Sequence, residues 1–239
     1  MTHPHPFHNP NLPIDQRVAD LLGRMTLAEK LAQMSIFPGN IAEDVDSLLD
    51  ETGRLDAPKA LAAWPNGAGA ISRLGLRRSP GDTARLYNDI QRLLIEQTRL
   101  GIPALFVDEA LHGLMAQGST SFPQAIALAS AWDPDLMQEV FTAAAAEMRA
   151  RGGNYALTPV LDLARDPRWG RTEETYGEDP HLTATLGVAA VRGLQGVRLA
   201  ASVVLANDVE VDAGSGDAKF TGTVDAAIAG EQSLTVTAL

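Results

Sequence analysis

Residues 104–107 (ALFV) constrain this chain more than any other stretch. The run is short and wholly apolar, with Pro103 on one side and Asp108 and Glu109 on the other. A strand that is apolar on both faces needs cover on both, which is the condition inside a parallel sheet. The flanking sequence agrees. Upstream, Leu86, Ile90, Leu93 and Leu94 recur at helical spacing between the breaker SPGD (79–82) and Leu100-Gly101. Downstream, Asp133-Pro134 opens an alanine-rich helix over 136–149. Tyr155, Ala156, Leu157, Val160, Leu161 and Leu163 then form a second strand-like run, which Asp166-Pro167 breaks. Asp179-Pro180 starts a further helix, with Asp179 as cap, that runs to about Leu194 and is stopped by Gly196. An earlier strand is expected at 68–72, after the turn Pro65-Asn66-Gly67. Strand and helix thus alternate three times. This predicts an α/β fold of right-handed βαβ units on a parallel sheet, at most half of an eight-fold (β/α) barrel of TIM type.

The two ends of the chain differ from this pattern. Residues 1–13 mix His with Pro and read as an extended arm, and nothing near His3, His5 and His8 completes a metal shell, so no metal site is assigned. Val18, Leu21, Leu22 and Met25 mark a helix with Asp15 as its N-cap. Thr26 and Glu29 form a capping box for a second helix that carries Leu31 and Met34 on its apolar face. Residues 35–66 read as loop with short helix. After Arg198 the composition shifts to six acidic residues (Asp208, Glu210, Asp212, Asp217, Asp225, Glu231) against the single Lys219. Val209, Val211 and Ala213 alternate with charged residues, a turn is expected at 214–217, and 233–239 alternates again. That is antiparallel or solenoid-type β sequence. The expected division is an arm (1–13), a partial barrel (14–198) and a short β-rich tail (199–239).

Composition excludes several classes of function. With 239 residues and 45% hydrophobic content the chain has material for a substantial core. A net charge of −11 opposes nucleic acid or an anionic membrane as partner. No apolar run approaches the roughly 20 residues of a bilayer span, and the N-terminus lacks a secretory signal pattern, so a cytoplasmic location is expected. The absence of cysteine removes disulfides, thiolate metal sites and a thiol nucleophile. Phosphate-loop, dinucleotide, zinc-protease and nucleophile-elbow motifs are missing, and no cofactor is expected.

Parallel α/β folds bind ligands at the C-terminal ends of their strands. That rule places Asp108, Glu109 and His112, which follow one strand, on the same face as Asp166, Arg168, Trp169 and Arg171, which follow the next. A carboxylate opposite a guanidinium and an indole suits a sugar ring. The carboxylate accepts from neighbouring hydroxyls, the guanidinium donates in a fixed fork, and the indole covers the C–H face. The same residues also suit a structural cluster in which Arg168, Trp169 and Arg171 pair with Glu173 and Glu174 to fasten a loop. In that reading Asp162 and Asp166 are turn residues, and His112 bonds a backbone carbonyl.

The motifs Gly101-Ile102-Pro103, DEALHG (108–113), SFPQA (121–125) and DPRWGR (166–171) with EETYGEDP (173–180) resemble, in order, the N-terminal part of the barrel domain of glycoside hydrolase family 3. The likeness covers about residues 14–196. It implies a retaining hydrolase that removes β-linked glucose, xylose or a similar unit from the non-reducing end of an oligosaccharide. It places Glu109 at the carboxylate that holds the terminal sugar's outer hydroxyls and Arg171 at the sugar-binding arginine, with Asp108, His112 and Trp169 beside them. Family members acting on glucosides often carry Asp where Glu109 stands, so the longer side chain leans toward pentosides. The family continues past Gly196 with a Lys-His pair and, later, an Asp nucleophile and a general acid/base. None of these is found here, no catalytic residue is assigned, and the chain is expected to be a truncated, inactive and marginally stable form. Residues 201–239 bear a weak similarity to filamentous-adhesin repeats, which leaves a non-catalytic carbohydrate-binding or adhesin-like fusion as the alternative.

Overall fold

The computed structural model describes residues 5–38, 46–195, 198–199, 209–214 and 234–238. Two compact units are present: Met1–Ile71 with Asp89–Ala104, and Ser72–Asn88 with Leu105–Leu239.

In the first unit, Pro6–His8 forms a 3-10 turn, followed by α1 (Ile14–Arg24), α2 (Leu27–Gln33), β1 (Ile36–Pro38), α3 (Ala57–Ala63) and most of β2 (Ala70–Ser72). The described part of the N-terminus is not an extended arm. Phe7 is buried and gives the segment an apolar anchor. Its N–H donates to the Asp20 carboxylate at 3.2 Å, and its carbonyl accepts from Arg17 Nε at 3.0 Å. α1 begins two residues earlier than expected, with Pro13 at the cap in place of Asp15, and Asp15 lies in the first turn at the positive end of the helix. The capping box is as read from sequence: Thr26 Oγ accepts from Glu29 N–H at 3.2 Å, and the Glu29 carboxylate accepts from Thr26 N–H at 2.8 Å. The helical spacing of Val18, Leu22, Leu31 and Met34 is real, yet all four are exposed. β1, which sequence reasoning left inside a loop, lies beside β2, with the Ala70 N–H on the Ser35 carbonyl at 3.2 Å.

The second unit carries the first half of α4 (Pro80–Gln97), then β3 (Leu105–Asp108), α5 (Ala125–Ala129), α6 (Pro134–Ala150), β4 (Tyr155–Ala156), a 3-10 turn at Thr172–Glu174, α7 (Pro180–Gly193) and β5 (Arg198–Leu199). β3 pairs with β4, and β4 with β5, both in parallel. The chain leaving β2 joins the same ladder, since the Arg73 N–H donates to the Val107 carbonyl at 2.8 Å. The alternating α/β order with a parallel sheet is the architecture expected. Both predicted helix starts are found: the Asp133 carboxylate accepts from the amides of Asp135 and Leu136, and Asp179 accepts from the amide of Leu182. β4 is shorter than expected. Leu157 still donates to the Asp108 carbonyl, but Pro159 has no N–H to continue the ladder, and Val160 and Leu161 are buried outside the strand.

The core of this unit lies between α6 and α7. Met137, Phe141, Ala145 and Met148 meet Leu186, Ala190, Val191 and Leu194. β6 (Val209–Gly214) and β7 (Leu234–Ala238) pair in parallel, as in the solenoid-type alternative and not the antiparallel one. Parallel pairing needs a crossover of a dozen residues or more, and residues 215–233 supply that length. The turn expected at 214–217 lies largely outside the described residues. Among the described residues no helix is long and apolar enough to cross a membrane.

The approach of α7 to α6 depends on a missing side chain. A methyl group at Gly193 would sit 2.5 Å from the Gln138 carbonyl oxygen and 2.7 Å from Phe141 Cβ. Alanine is the better helix former by up to about 1 kcal/mol, but overpacking against backbone costs about 1–3 kcal/mol. Gly193→Ala should therefore lower the urea midpoint; an unchanged or raised midpoint would refute the tight α6–α7 contact.

Candidate functional site

The site begins with the register of β3. The Tyr87 ring, from α4, stacks on Phe106 with centroids 3.9 Å apart and planes 12° from parallel. Its hydroxyl donates to the Asp108 carboxylate at 3.2 Å. Phe106 and Asp108 are two residues apart and therefore share one face of the strand, which sends Val107 to the other, and Glu109 follows directly after the last strand residue. Asp108 is only 6% exposed. Burial pushes its carboxyl up to about 6, against the Tyr87 hydrogen bond and the charge of Arg151, while Glu109 adds to the rise. Burial also raises the Tyr87 hydroxyl well above its usual value, with the Asp108 charge next in effect. Arg151 is itself buried and donates to the Gln117 carbonyl at 2.9 Å. Asp108, a candidate sugar ligand from sequence, is thus engaged inside the fold.

Glu109 is different. Its side chain is 21% exposed, and its carboxylate lies 3.6 Å from Arg73 Nη1. Burial raises its pKa, Arg73 lowers it, Glu174 raises it and Arg171 lowers it. Arg171, in turn, is held mainly by Glu174, with Nε to Oε1 at 2.9 Å and Nη2 to Oε2 at 2.5 Å, and it also feels Asp162 and Glu109. The ends of β3 and β4 are neighbours because Asp108 is in register with Ala156. The structure therefore brings Glu109 and Arg171 within electrostatic reach of one another on one rim.

The remaining candidates have local roles. Arg168 is exposed and pairs with Asp166 two residues earlier, which also accepts the Arg168 N–H, so this is a turn. Trp169 is 37% exposed. His112 Nδ1 lies 3.1 Å from the Phe122 carbonyl oxygen, and the Phe122 N–H donates back to the His112 carbonyl, a clasp across the loop after β3. Gly113 permits this clasp: its φ is +99°, and a methyl there would lie 2.2 Å from the Thr120 carbonyl oxygen. Sequence reasoning missed Arg73, Tyr87 and Arg151. Arg73 directly follows an expected strand and was findable by the strand-end rule; the other two act through tertiary contacts. Among the described residues no cluster of three or more His, Asp or Glu could hold a metal ion.

The described residues form an α/β fold on a parallel sheet, with the half-buried Glu109 carboxylate and the Arg73 guanidinium at the C-terminal ends of neighbouring strands. Residues 26–221 match the glycosyl hydrolase family 3 N-terminal domain, and the chain belongs to that family. It is 38% identical over 191 residues to a putative β-xylosidase of Formosa agariphila, covering 80% of this chain and 25% of that protein. With β-glucosidase C of Emericella nidulans it shares 34% identity over 201 residues, covering 80% and 31%. A solved β-glucosidase from Erythrobacter marinus superposes with a TM-score of 0.70 at 37% identity, covering 82% and 26%. The Listeria innocua β-glucosidase in complex with glucose gives a TM-score of 0.61 at 28% identity, covering 82% and 29%. The chain spans about a quarter to a third of the length of these proteins.

Two stability measurements test this geometry. Tyr87→Phe leaves a buried carboxylate without its donor and should cost about 1–3 kcal/mol in urea unfolding; a change below a few tenths would contradict the bond. The Asp108 carboxyl titrates at about 6 in the folded chain against an ordinary 3.8, so the folded state holds a proton that the unfolded state has released. The stability this contributes is fully present below the unfolded value and is lost as pH rises through about 6. Asp108→Asn should flatten the fall in stability across that window, and an unaltered slope would refute the assignment.

Proposed function

We propose that this chain forms the glycon-recognition part of a retaining β-glycosidase, built as about three β/α units of a (β/α)8 barrel. The observation that carries the reading is Glu109, half-buried at the end of β3, with the Arg73 guanidinium at 3.6 Å and the Arg171 charge within electrostatic reach. In this reading Glu109 accepts hydrogen bonds from two adjacent hydroxyls of a terminal sugar, and Arg171 donates to a third. Trp169, partly open to solvent, is available to cover the C–H face of the ring. The Arg171–Glu174 pair is the loop-fastening contact that the structural reading anticipated, and it pre-orients the guanidinium before substrate arrives.

Retaining hydrolysis needs two carboxyl groups roughly 5 Å apart, one attacking the anomeric carbon and one protonating the leaving oxygen. The proposal assigns neither role to the described side chains. Recognition is what this part contributes, and bond cleavage belongs to carboxylates elsewhere in a whole enzyme. The substrate class is β-linked glucosides and xylosides, after the names of the relatives. Within it, the length of Glu109 crowds a hexose hydroxymethyl group and favours pentosides.

Nitrophenyl β-xyloside and β-glucoside provide the test. The 239-residue chain alone should release no nitrophenol. In a protein carrying the complete barrel, Glu109→Ala and Arg171→Ala should each lower kcat/KM by about 10–100-fold, the worth of one or two charge-assisted hydrogen bonds. The unaltered complete enzyme should prefer the xyloside. Release by the isolated chain that disappears with Arg171→Ala, or a strong preference for the glucoside, would overturn the respective claims.

A further inference from the structure

We propose that Arg73 is a positioning residue of the sugar subsite, the counter-charge that fixes the Glu109 carboxylate on the rim. The proposal rests on the glycosidase reading and adds to it a residue outside the motifs that carry the family resemblance.

Arg73 directly follows the last residue of β2 and has φ +58°, a left-handed conformation that an L side chain adopts only where its surroundings enforce it. Its own N–H is bonded to the Val107 carbonyl, two residues before Glu109. The kink turns the side chain over the end of β3, where Nη1 comes to 3.6 Å from the Glu109 carboxylate. At that distance the pair is ionic without consuming the guanidinium's hydrogen-bond donors. Nε is buried with no hydrogen-bond partner among the described residues. The side chain is 32% exposed, so the rest of the fork is reachable from solvent.

The other cation on the rim is already engaged. Arg171 is bidentate to Glu174, and the two charges largely cancel as seen from Glu109. Three charged groups act on Glu109, Arg73 from the segment after β2 and Arg171 and Glu174 from the loop after β4, while Asp108 beside it on the chain turns inward and feels the Glu109 charge. Burial and Glu174 favour a proton on Glu109, and among its neighbours Arg73 opposes them most. A protonated Glu109 would lose acceptor capacity toward sugar hydroxyls. Arg73 preserves that capacity and keeps donors of its own pointed at the same space.

Titration of the Glu109 carboxyl by NMR decides this. The 239-residue chain is labelled with carboxyl-¹³C glutamate, and the Glu109 signal is identified by its loss in Glu109→Gln. The midpoint should move upward in Arg73→Gln, return to the wild-type position in Arg73→Lys, and move less in Arg171→Gln. A midpoint unmoved by Arg73→Gln, or moved more by Arg171→Gln, would overturn the proposal. Should Arg73→Gln lose its native amide spectrum, the Arg73→Gln/Glu109→Gln pair replaces it: recovery of the spectrum supports the ion pair, and failure to recover overturns it. No sugar enters the experiment, so its failure leaves the glycosidase reading standing, and failure of the turnover assays leaves the ion pair standing.

Discussion

Tyr87 makes two contacts on one strand, its ring on Phe106 and its hydroxyl on Asp108, and the direction of every side chain at the end of β3 follows from them. Strand residues alternate, so a slip of one position would exchange Asp108 for Glu109 and bury the wrong carboxylate. An aromatic stack combined with a directional hydrogen bond resists such a slip better than apolar packing alone, since Val107, Phe106 and Ala104 could each be accommodated in a shifted register. The site therefore depends on a residue of α4 that never reaches it.

Two consecutive carboxylates are thereby given opposite environments. Asp108 lies among Tyr87, Arg151 and the backbone of Gly153, with desolvation the largest influence on its proton. Glu109 meets solvent and guanidinium. The division resembles other sites in which neighbouring acids are driven apart by surroundings and not by chemistry. It also changes the weight of the DEALHG motif: its first residue builds the strand end, its second meets Arg73 at the solvent boundary, and its His112 and Gly113 clasp the loop that follows.

Much of this was legible in the sequence because it rests on local rules. Asp133-Pro134, Asp179-Pro180 and the Thr26–Glu29 box announced their helices through backbone amides that need acceptors. The ALFV strand announced itself by being apolar on both faces. What escaped was non-local. β1 is three residues long, too short for periodicity, and exists through pairing with β2. The early end of β4 goes with the missing N–H of Pro159, while the apolar letters continue to Leu163. Phe7 buries itself in a segment whose composition suggested an extended arm. The strand-end rule put Asp108, Glu109 and Arg171 forward together but could not say that Asp108 turns inward, because only the partner on α4 decides it. The parallel β6–β7 pair shows the same limit, since alternation fixes a strand and leaves its direction open.

The inward Asp108 and outward Glu109 are the centre of this account, and carboxyl footprinting reads both in one experiment. The native chain would be treated with a water-soluble carbodiimide and an amine, digested, and the labelled acids located by mass spectrometry. Label at Glu109, with Asp108 protected until the chain is unfolded, is the predicted result. Label at Asp108 with Glu109 spared, or equal label at both in the native state, would contradict it.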